Sequence, residues 1–140
     1  MLTLESAQQA LRGAGVRLTP QRTLIINALV GNRAHPTVEQ LYHLARARYA
    51  GISLATVYHT VSLLARHGLL LELHGDSAGL RCDPDTQPHA HAYCLACHAV
   101  LDISLVAAPI PCTADDLPFT PVATELSLYG YCPTCAAPHD

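Results

Sequence analysis

Several residue types are scarce or absent in this chain of 140 residues. It has no Trp and no Lys, one Phe and one Met, and only 14% of its residues are charged. No apolar run approaches the ~20 residues of a membrane-spanning helix, so we expect no transmembrane segment. The N-terminus also lacks a basic stretch followed by an apolar core, so no secretory signal is visible and we expect a soluble, cytoplasmic protein.

Charge is divided unevenly along the chain. All eight cationic residues are Arg and lie in residues 1–81, where four acidic residues leave a net charge of +4. Residues 82–140 carry seven acidic residues and no Arg, which gives −7. A basic half is suited to phosphate and an acidic half to cations, so the two halves are expected to do different chemistry.

Cysteine is absent before residue 82, and four of the six cysteines form two C-x-x-C pairs: Cys94 with Cys97 and Cys132 with Cys135. In a reducing cytosol such pairs are more often zinc ligands than disulfides. Four thiolates satisfy tetrahedral Zn²⁺ completely, which predicts a structural zinc site with no open position. Two disulfides or a redox motif are the alternatives, although no Trp-Cys-Gly-Pro context is present. Cys82 and Cys112 are left over.

A second set of ligand types surrounds a His-x-His pair. His89 and His91 face the same side of an extended segment, and Asp83, Asp102 and the more distant His35 offer further donors. Imidazole and carboxylate without thiolate suit Mn²⁺ or Fe²⁺ and tolerate Zn²⁺. A zinc deaminase needs a Glu in H-x-E, which is missing here, and no H-E-x-x-H, Walker or G-x-S-x-G motif occurs. We therefore expect no enzyme.

Apolar spacing predicts four helices followed by a small hairpin. The helices are expected from Leu4, Pro20, Pro36-Thr37 and Ser53, and the strands over Leu69–His74 and Leu80–Asp83. This order is typical of a winged helix-turn-helix, although an ordinary helical bundle with a trailing hairpin fits the same pattern. In the fourth helix Leu54, Val57, Val61 and Leu64 form the apolar stripe. Ser53, Thr56, His59 and Thr60 are left to the other side, with Tyr58 at the border, either to read a major groove or simply to face solvent.

The second half has short strand-like runs and turns. His91–Cys94 and Val100–Ile103 are predicted to pair around the first C-x-x-C, and alternation from Val122 to Leu128 predicts a strand before the second. A Pro-rich loop is expected over Ala107–Pro118. The fold class is thus α+β, with a helical domain over residues 1–84 and a small α/β domain over residues 85–140.

Five segments, in order, resemble the ferric uptake regulator superfamily of bacterial metal-responsive transcription factors. They are Gly15–Arg22 (G-x-R-x-T-x-Q-R), His35–Tyr42, Ser53–Tyr58 (S-x-A-T-V-Y), His89–Cys97 and Tyr129–Cys135. The resemblance implies a winged-helix DNA-binding domain joined to a dimerisation domain. It also implies a homodimeric repressor that binds an inverted repeat of operator DNA when a regulatory metal closes the hinge between its domains.

The resemblance also implies roles for individual residues. The regulatory metal ligands are His35, Asp83, His89, His91 and Asp102. The implied DNA-binding residues are Arg17, Arg22, Ser53, Thr56, Tyr58 and His59, and the last of these stands where many members have Arg.

The choice of regulatory metal depends on two neighbouring residues. The aspartates at 83 and 102 are similar to those of the manganese-, iron- and peroxide-sensing members, whereas a ligating Cys82 would indicate a zinc-uptake regulator. In a strand Cys82 and Asp83 face opposite sides, and we favour Asp83 as the ligand. Peroxide sensing would use the same ligands. A zinc-stapled interaction or redox protein without specific DNA binding is the alternative from a different class.

Overall fold

A computed structural model describes residues 1–105, 118 and 124–136. The chain divides into two compact units, Met1–Gln87 and Pro88–Asp140, so the division falls slightly later than the predicted domain boundary after residue 84. The predicted loop over 107–118, apart from Pro118, lies outside the described residues, as does Cys112. Among the described residues, no helix is long and apolar enough to cross a membrane.

The first unit contains four helices, each with a hydroxyl side chain as its N-cap. The helices are α1 (Leu4–Gly13), α2 (Pro20–Leu29), α3 (Val38–Arg46) and α4 (Leu54–Arg66), and the caps are Thr3, Thr19, Thr37 and Ser53. Each cap oxygen accepts a backbone N–H of the first turn. Such a cap contributes about 1 kcal/mol relative to Ala, which explains why the predicted and observed helix starts agree closely.

The core of the first unit is apolar and draws on all four helices. Its fully buried side chains include Leu11, Ile25, Ile26, Leu29, Leu41, Val57, Val61 and Leu64. The predicted division of α4 is wrong at two positions, because Leu54 is 37% exposed and Thr60 only 1%. Thr60 is tolerated in the core because its hydroxyl donates to the carbonyl of Thr56 at 2.8 Å.

A short antiparallel hairpin follows α4. Strand β1 (Leu71–Leu73) pairs with β2 (Arg81–Asp83), and both strands are shorter than predicted. The other edge of β2 is occupied by the segment that precedes α3: the carbonyl of Pro36 accepts the N–H of Cys82 at 2.9 Å, and the N–H of Val38 donates to Leu80 at 3.0 Å. These bonds place His35 beside β2.

The second unit contains a three-stranded sheet within its described residues. Strands β3 (Ala90–Cys94), β4 (Val100–Ile103) and β5 (Ser127–Gly130) lie in the order β4-β3-β5. Strand β3 is antiparallel to β4, which confirms the predicted pairing around the first C-x-x-C, and parallel to β5. The α+β fold class is confirmed by these elements together with the four helices.

Candidate metal centres

The four C-x-x-C cysteines come together at one end of the sheet. Because β3 and β5 are parallel and Cys94 is level with Gly130, the turns after both strands leave the sheet at the same edge. The four Sγ atoms lie within 4.8 Å of one another, and those of Cys97 and Cys132 are 3.8 Å apart. A tetrahedron of sulfurs about 2.3 Å from Zn²⁺ has edges of about 3.8 Å, so the donor set fits zinc.

Hydrogen bonds inside this cluster lower the pKa of one thiol and raise that of another. The backbone N–H of Cys132 donates to Sγ of Cys94 at 3.4 Å, and this bond, together with the backbone N–H of Cys97, lowers the pKa of Cys94 to about 6. Side-chain hydrogen bonds with Cys132 and then Cys97, together with burial, raise the pKa of Cys135 to about 12. All five described cysteines are free thiols, so the described chain contains no disulfide among them. Protons must leave the cluster when a metal binds, and metal affinity should therefore fall at low pH.

The second unit also holds the His-x-His donors. Nε2 of His89 lies 2.9 Å from Nε2 of His91 and 3.4 Å from Oδ1 of Asp102. The remaining distance, from Nε2 of His91 to Oδ1 of Asp102, is 3.9 Å, because these two residues are cross-strand partners on β3 and β4. Two imidazole nitrogens and one carboxylate oxygen thus converge, as the i, i+2 spacing predicts.

The first unit contributes a buried imidazole–carboxylate pair. Nε2 of His35 lies 3.9 Å from Oδ1 of Asp83, and each residue is 1% exposed. The same carboxylate oxygen accepts the N–H of Asp85 at 2.8 Å, which fixes its orientation. His35 has a backbone φ of 48°, in the left-handed region that non-glycine residues rarely adopt.

Cys82 points away from this pair, as strand alternation predicts. Its side chain is fully buried in the apolar core of the first unit. This burial raises the pKa of Cys82 to about 12, so it remains a thiol at neutral pH. Because its side chain lies in the apolar core, on the face of β2 opposite Asp83, the structure does not favour Cys82 as a ligand.

The predicted DNA-binding residues lie on α4 and near the start of α2. Ser53 and Thr56 share a hydroxyl contact of 2.8 Å at the start of α4, and His59 is exposed on the same helix. Exposed Tyr58 donates its hydroxyl to Oε1 of Glu39 at 2.8 Å, and this bond raises the pKa of Tyr58. Sequence reasoning missed Glu39, because its partner lies 19 positions away on another helix.

Arg17 and Arg22 lie together before and within α2. The guanidinium of Arg22, on the first turn of α2, donates to the carbonyl of the exposed Arg17. The six predicted DNA-binding residues therefore lie in two groups, one in the N-terminal part of α4 and one around the start of α2.

Capped helices with a hairpin, followed by a sheet unit rich in metal-ligand side chains, define an α+β metal-binding protein. Comparisons with known proteins give the family. The model of the ferric uptake regulator family matches residues 13–109, and the chain belongs to that family. Its members are transcription regulators and not enzymes, which confirms both the resemblance and the expectation of no catalysis.

Individual relatives agree with this assignment. The peroxide operon regulator of Bacillus subtilis (strain 168) is 37% identical over 99 residues, which are 71% of this chain and 68% of that protein. The ferric uptake regulator of Helicobacter pylori has the same fold, with a TM-score of 0.75 at 18% identity over 99% of this chain and 97% of that one. A zinc-bound manganese uptake regulator matches at 28% identity, with a TM-score of 0.65 over 92% and 98%.

Proposed function

We propose that this chain is a cytoplasmic repressor that binds operator DNA as a homodimer when Mn²⁺ or Fe²⁺ fills a regulatory site. One observation carries the proposal: each unit holds an incomplete set of imidazole and carboxylate donors. The first has His35 and Asp83, and the second has His89, His91 and Asp102. Two or three protein ligands leave several positions on a transition metal to water or other ligands, whereas five fill most of its coordination sphere.

The ligand chemistry supports Mn²⁺ or Fe²⁺. Both sets consist of nitrogen and oxygen donors, and the thiol nearest to them in sequence, Cys82, faces the core. Carboxylate and imidazole ligands suit Mn²⁺ and Fe²⁺, while thiolates select zinc. The similarity to a manganese uptake regulator agrees with this choice.

A peroxide-sensing repressor is the second candidate. The relative from Bacillus subtilis that is 37% identical is named a peroxide operon regulator. Oxidation of a histidine beside bound iron would use the same five ligands. The two candidates differ in their response to peroxide with iron, and they agree on the site.

Metal binding would regulate DNA binding through the arrangement of the two units. A bound ion supplies a positive charge that the ligands of both units share. An arrangement that allows all five side chains to reach it is stabilised by its higher affinity for the ion, and only by that difference. In this proposal that arrangement fits the operator.

The DNA-binding part of the proposal rests on the exposed face of α4. Ser53, Thr56, Tyr58 and His59 offer short polar groups and an aromatic edge, which can approach bases and phosphates closely. The positive charge of residues 1–81, including Arg17 and Arg22, favours contact with the DNA backbone. The four cysteines of the second unit would hold a structural zinc.

The regulatory ligand on β2 can be identified by a pair of neighbouring substitutions. Asp83→Asn is expected to raise the Mn²⁺ concentration needed for operator binding by about 10-fold or more, because it removes a charged ligand. Cys82→Ser should change that concentration less than about threefold, because this thiol lies in the core. Fluorescence anisotropy of labelled operator DNA gives both midpoints.

The same measurement with Zn²⁺ tests the zinc-uptake alternative. That alternative predicts the reverse order, with Cys82→Ser abolishing a response to Zn²⁺ and Asp83→Asn leaving it intact. Circular dichroism of both variants provides the control for folding, since a hydroxyl in place of a buried thiol destabilises the core.

A further inference from the structure

Strand β2 contacts His35 at two points. Arg81 and Asp83 project from one face of the strand, and Cys82 between them projects into the core. Nη1 of Arg81 donates to the backbone carbonyl of His35 at 3.1 Å, while Oδ1 of Asp83 lies 3.9 Å from the His35 ring. The backbone and the imidazole of one residue are thus held by two neighbours on the same strand face.

The guanidinium of Arg81 is itself fixed by a carboxylate of the hairpin loop. Its Nε and Nη2 atoms donate to Oδ1 and Oδ2 of Asp76, at 3.3 and 3.0 Å. Both side chains are largely buried, with 7% of Arg81 and 12% of Asp76 exposed. A two-point contact of this kind sets the plane of the guanidinium and leaves Nη1 directed at His35.

The hydrogen bond from Arg81 matters because of the backbone conformation of His35. Its φ of 48° lies in the left-handed region, which is unfavourable for a non-glycine residue, so neighbouring contacts must hold it. The hydrogen bond from Arg81 fixes the peptide that follows the His35 Cα. The residues that follow His35 are also held. The carbonyl of Pro36 accepts the N–H of Cys82 on β2, and the N–H of Val38 donates to the carbonyl of Leu80, which precedes β2.

We propose that Arg81, held by Asp76, is a positioning residue that fixes the backbone of His35 and keeps its imidazole beside Asp83 for metal binding. This inference rests on the proposed function, in which His35 and Asp83 are regulatory ligands. Groups that orient metal ligands typically change metal affinity by about 10–100-fold when they are removed. Arg81 acts on the ligand through its backbone.

The test is the Mn²⁺ affinity of the full-length, zinc-loaded protein, measured from the electron paramagnetic resonance signal of free Mn²⁺. Arg81→Gln is expected to weaken Mn²⁺ binding by about 10–100-fold. Operator affinity at saturating Mn²⁺ should stay within about threefold of the unsubstituted protein, because the ion itself then holds His35. Arg81→Lys keeps the positive charge but lacks the planar guanidinium. Its Mn²⁺ affinity should lie between those of the unsubstituted protein and of Arg81→Gln. Arg12→Gln, an exposed arginine on α1, is the matched control.

A purely structural role gives a different result. In that case Arg81→Gln lowers the melting temperature, yet the folded protein binds Mn²⁺ as before, and this outcome overturns the proposal. If Arg81→Gln does not fold, the Mn²⁺ affinity of Asp76→Asn provides the test, because this variant keeps Arg81 but removes the carboxylate charge that fixes its guanidinium. A weakening of several-fold supports the positioning role, and unchanged affinity overturns it.

The His35→Ala variant separates this inference from the function on which it rests. If His35→Ala leaves Mn²⁺ affinity unchanged, His35 is not a regulatory ligand, and both proposals are overturned. If His35→Ala weakens binding while the Arg81 and Asp76 variants do not, only the positioning role of Arg81 is overturned.

Discussion

His89→Ala is expected to abolish metal-dependent binding to operator DNA while leaving a folded, zinc-loaded dimer. His89 Nε2 lies within 3.4 Å of both other donors of the second unit, so its loss removes the centre of that set. Loss of a direct ligand should weaken metal affinity on the order of 100-fold or more, since supporting groups alone account for 10–100-fold. Anisotropy of labelled operator DNA with and without Mn²⁺ measures the response.

Two controls accompany this variant. His43→Ala, an exposed histidine on α3, should bind the operator like the unsubstituted protein. Sedimentation and zinc content should show the His89→Ala dimer intact, because the four-cysteine cluster uses none of its atoms. A variant that loses its dimer together with its metal response would mean that the two centres are not separate sites.

Cys132→Ser is expected to have the largest effect on stability. Structural zinc binding contributes roughly 10–16 kcal/mol in small zinc-dependent folds, and three thiolates hold the ion far less well than four. Cys132 also donates the N–H bond that lowers the pKa of Cys94, so the substitution affects two ligands if the turn shifts. We expect loss of stoichiometric zinc, loss of order in β3–β5, and loss of the dimer.

Zinc content by mass spectrometry and the dimer by sedimentation measure this effect. Cys82→Ser is the matched control, because it replaces a cysteine outside the cluster and should retain zinc. The assignment of a structural zinc would not survive a Cys132→Ser protein that keeps its metal and its dimer.

Features that depend on neighbours in sequence were predictable in this chain. Ser and Thr caps at positions 3, 19, 37 and 53 mark the helix starts, since cap and first turn are adjacent. The C-x-x-C and His-x-His spacings likewise predict groups that the structure brings together. The pairing of β3 with β4 follows from the short turn between them.

Features that depend on distant residues were not predictable. Whether Thr60 or Leu54 faces the core depends on where α4 meets the other helices. The contacts of Arg81 with His35 and of Tyr58 with Glu39 join residues that are 46 and 19 positions apart. In the sequence Arg81 is one of eight arginines, and nothing there marks its contact with His35. Strand alternation separated Cys82 from Asp83, but only the tertiary structure shows which of them meets the core.

The central claim is that a carboxylate–imidazole site makes DNA binding respond to Mn²⁺ or Fe²⁺. It is tested most directly by measuring how tightly the zinc-loaded protein binds its own promoter DNA as Mn²⁺, anaerobic Fe²⁺ or Zn²⁺ is added in separate titrations. A scrambled DNA at the same salt concentration serves as the control for nonspecific binding. We expect tight, sequence-specific binding driven by Mn²⁺ or Fe²⁺. A response to Zn²⁺ alone, or equal affinity for both DNA sequences under all three metals, would contradict it.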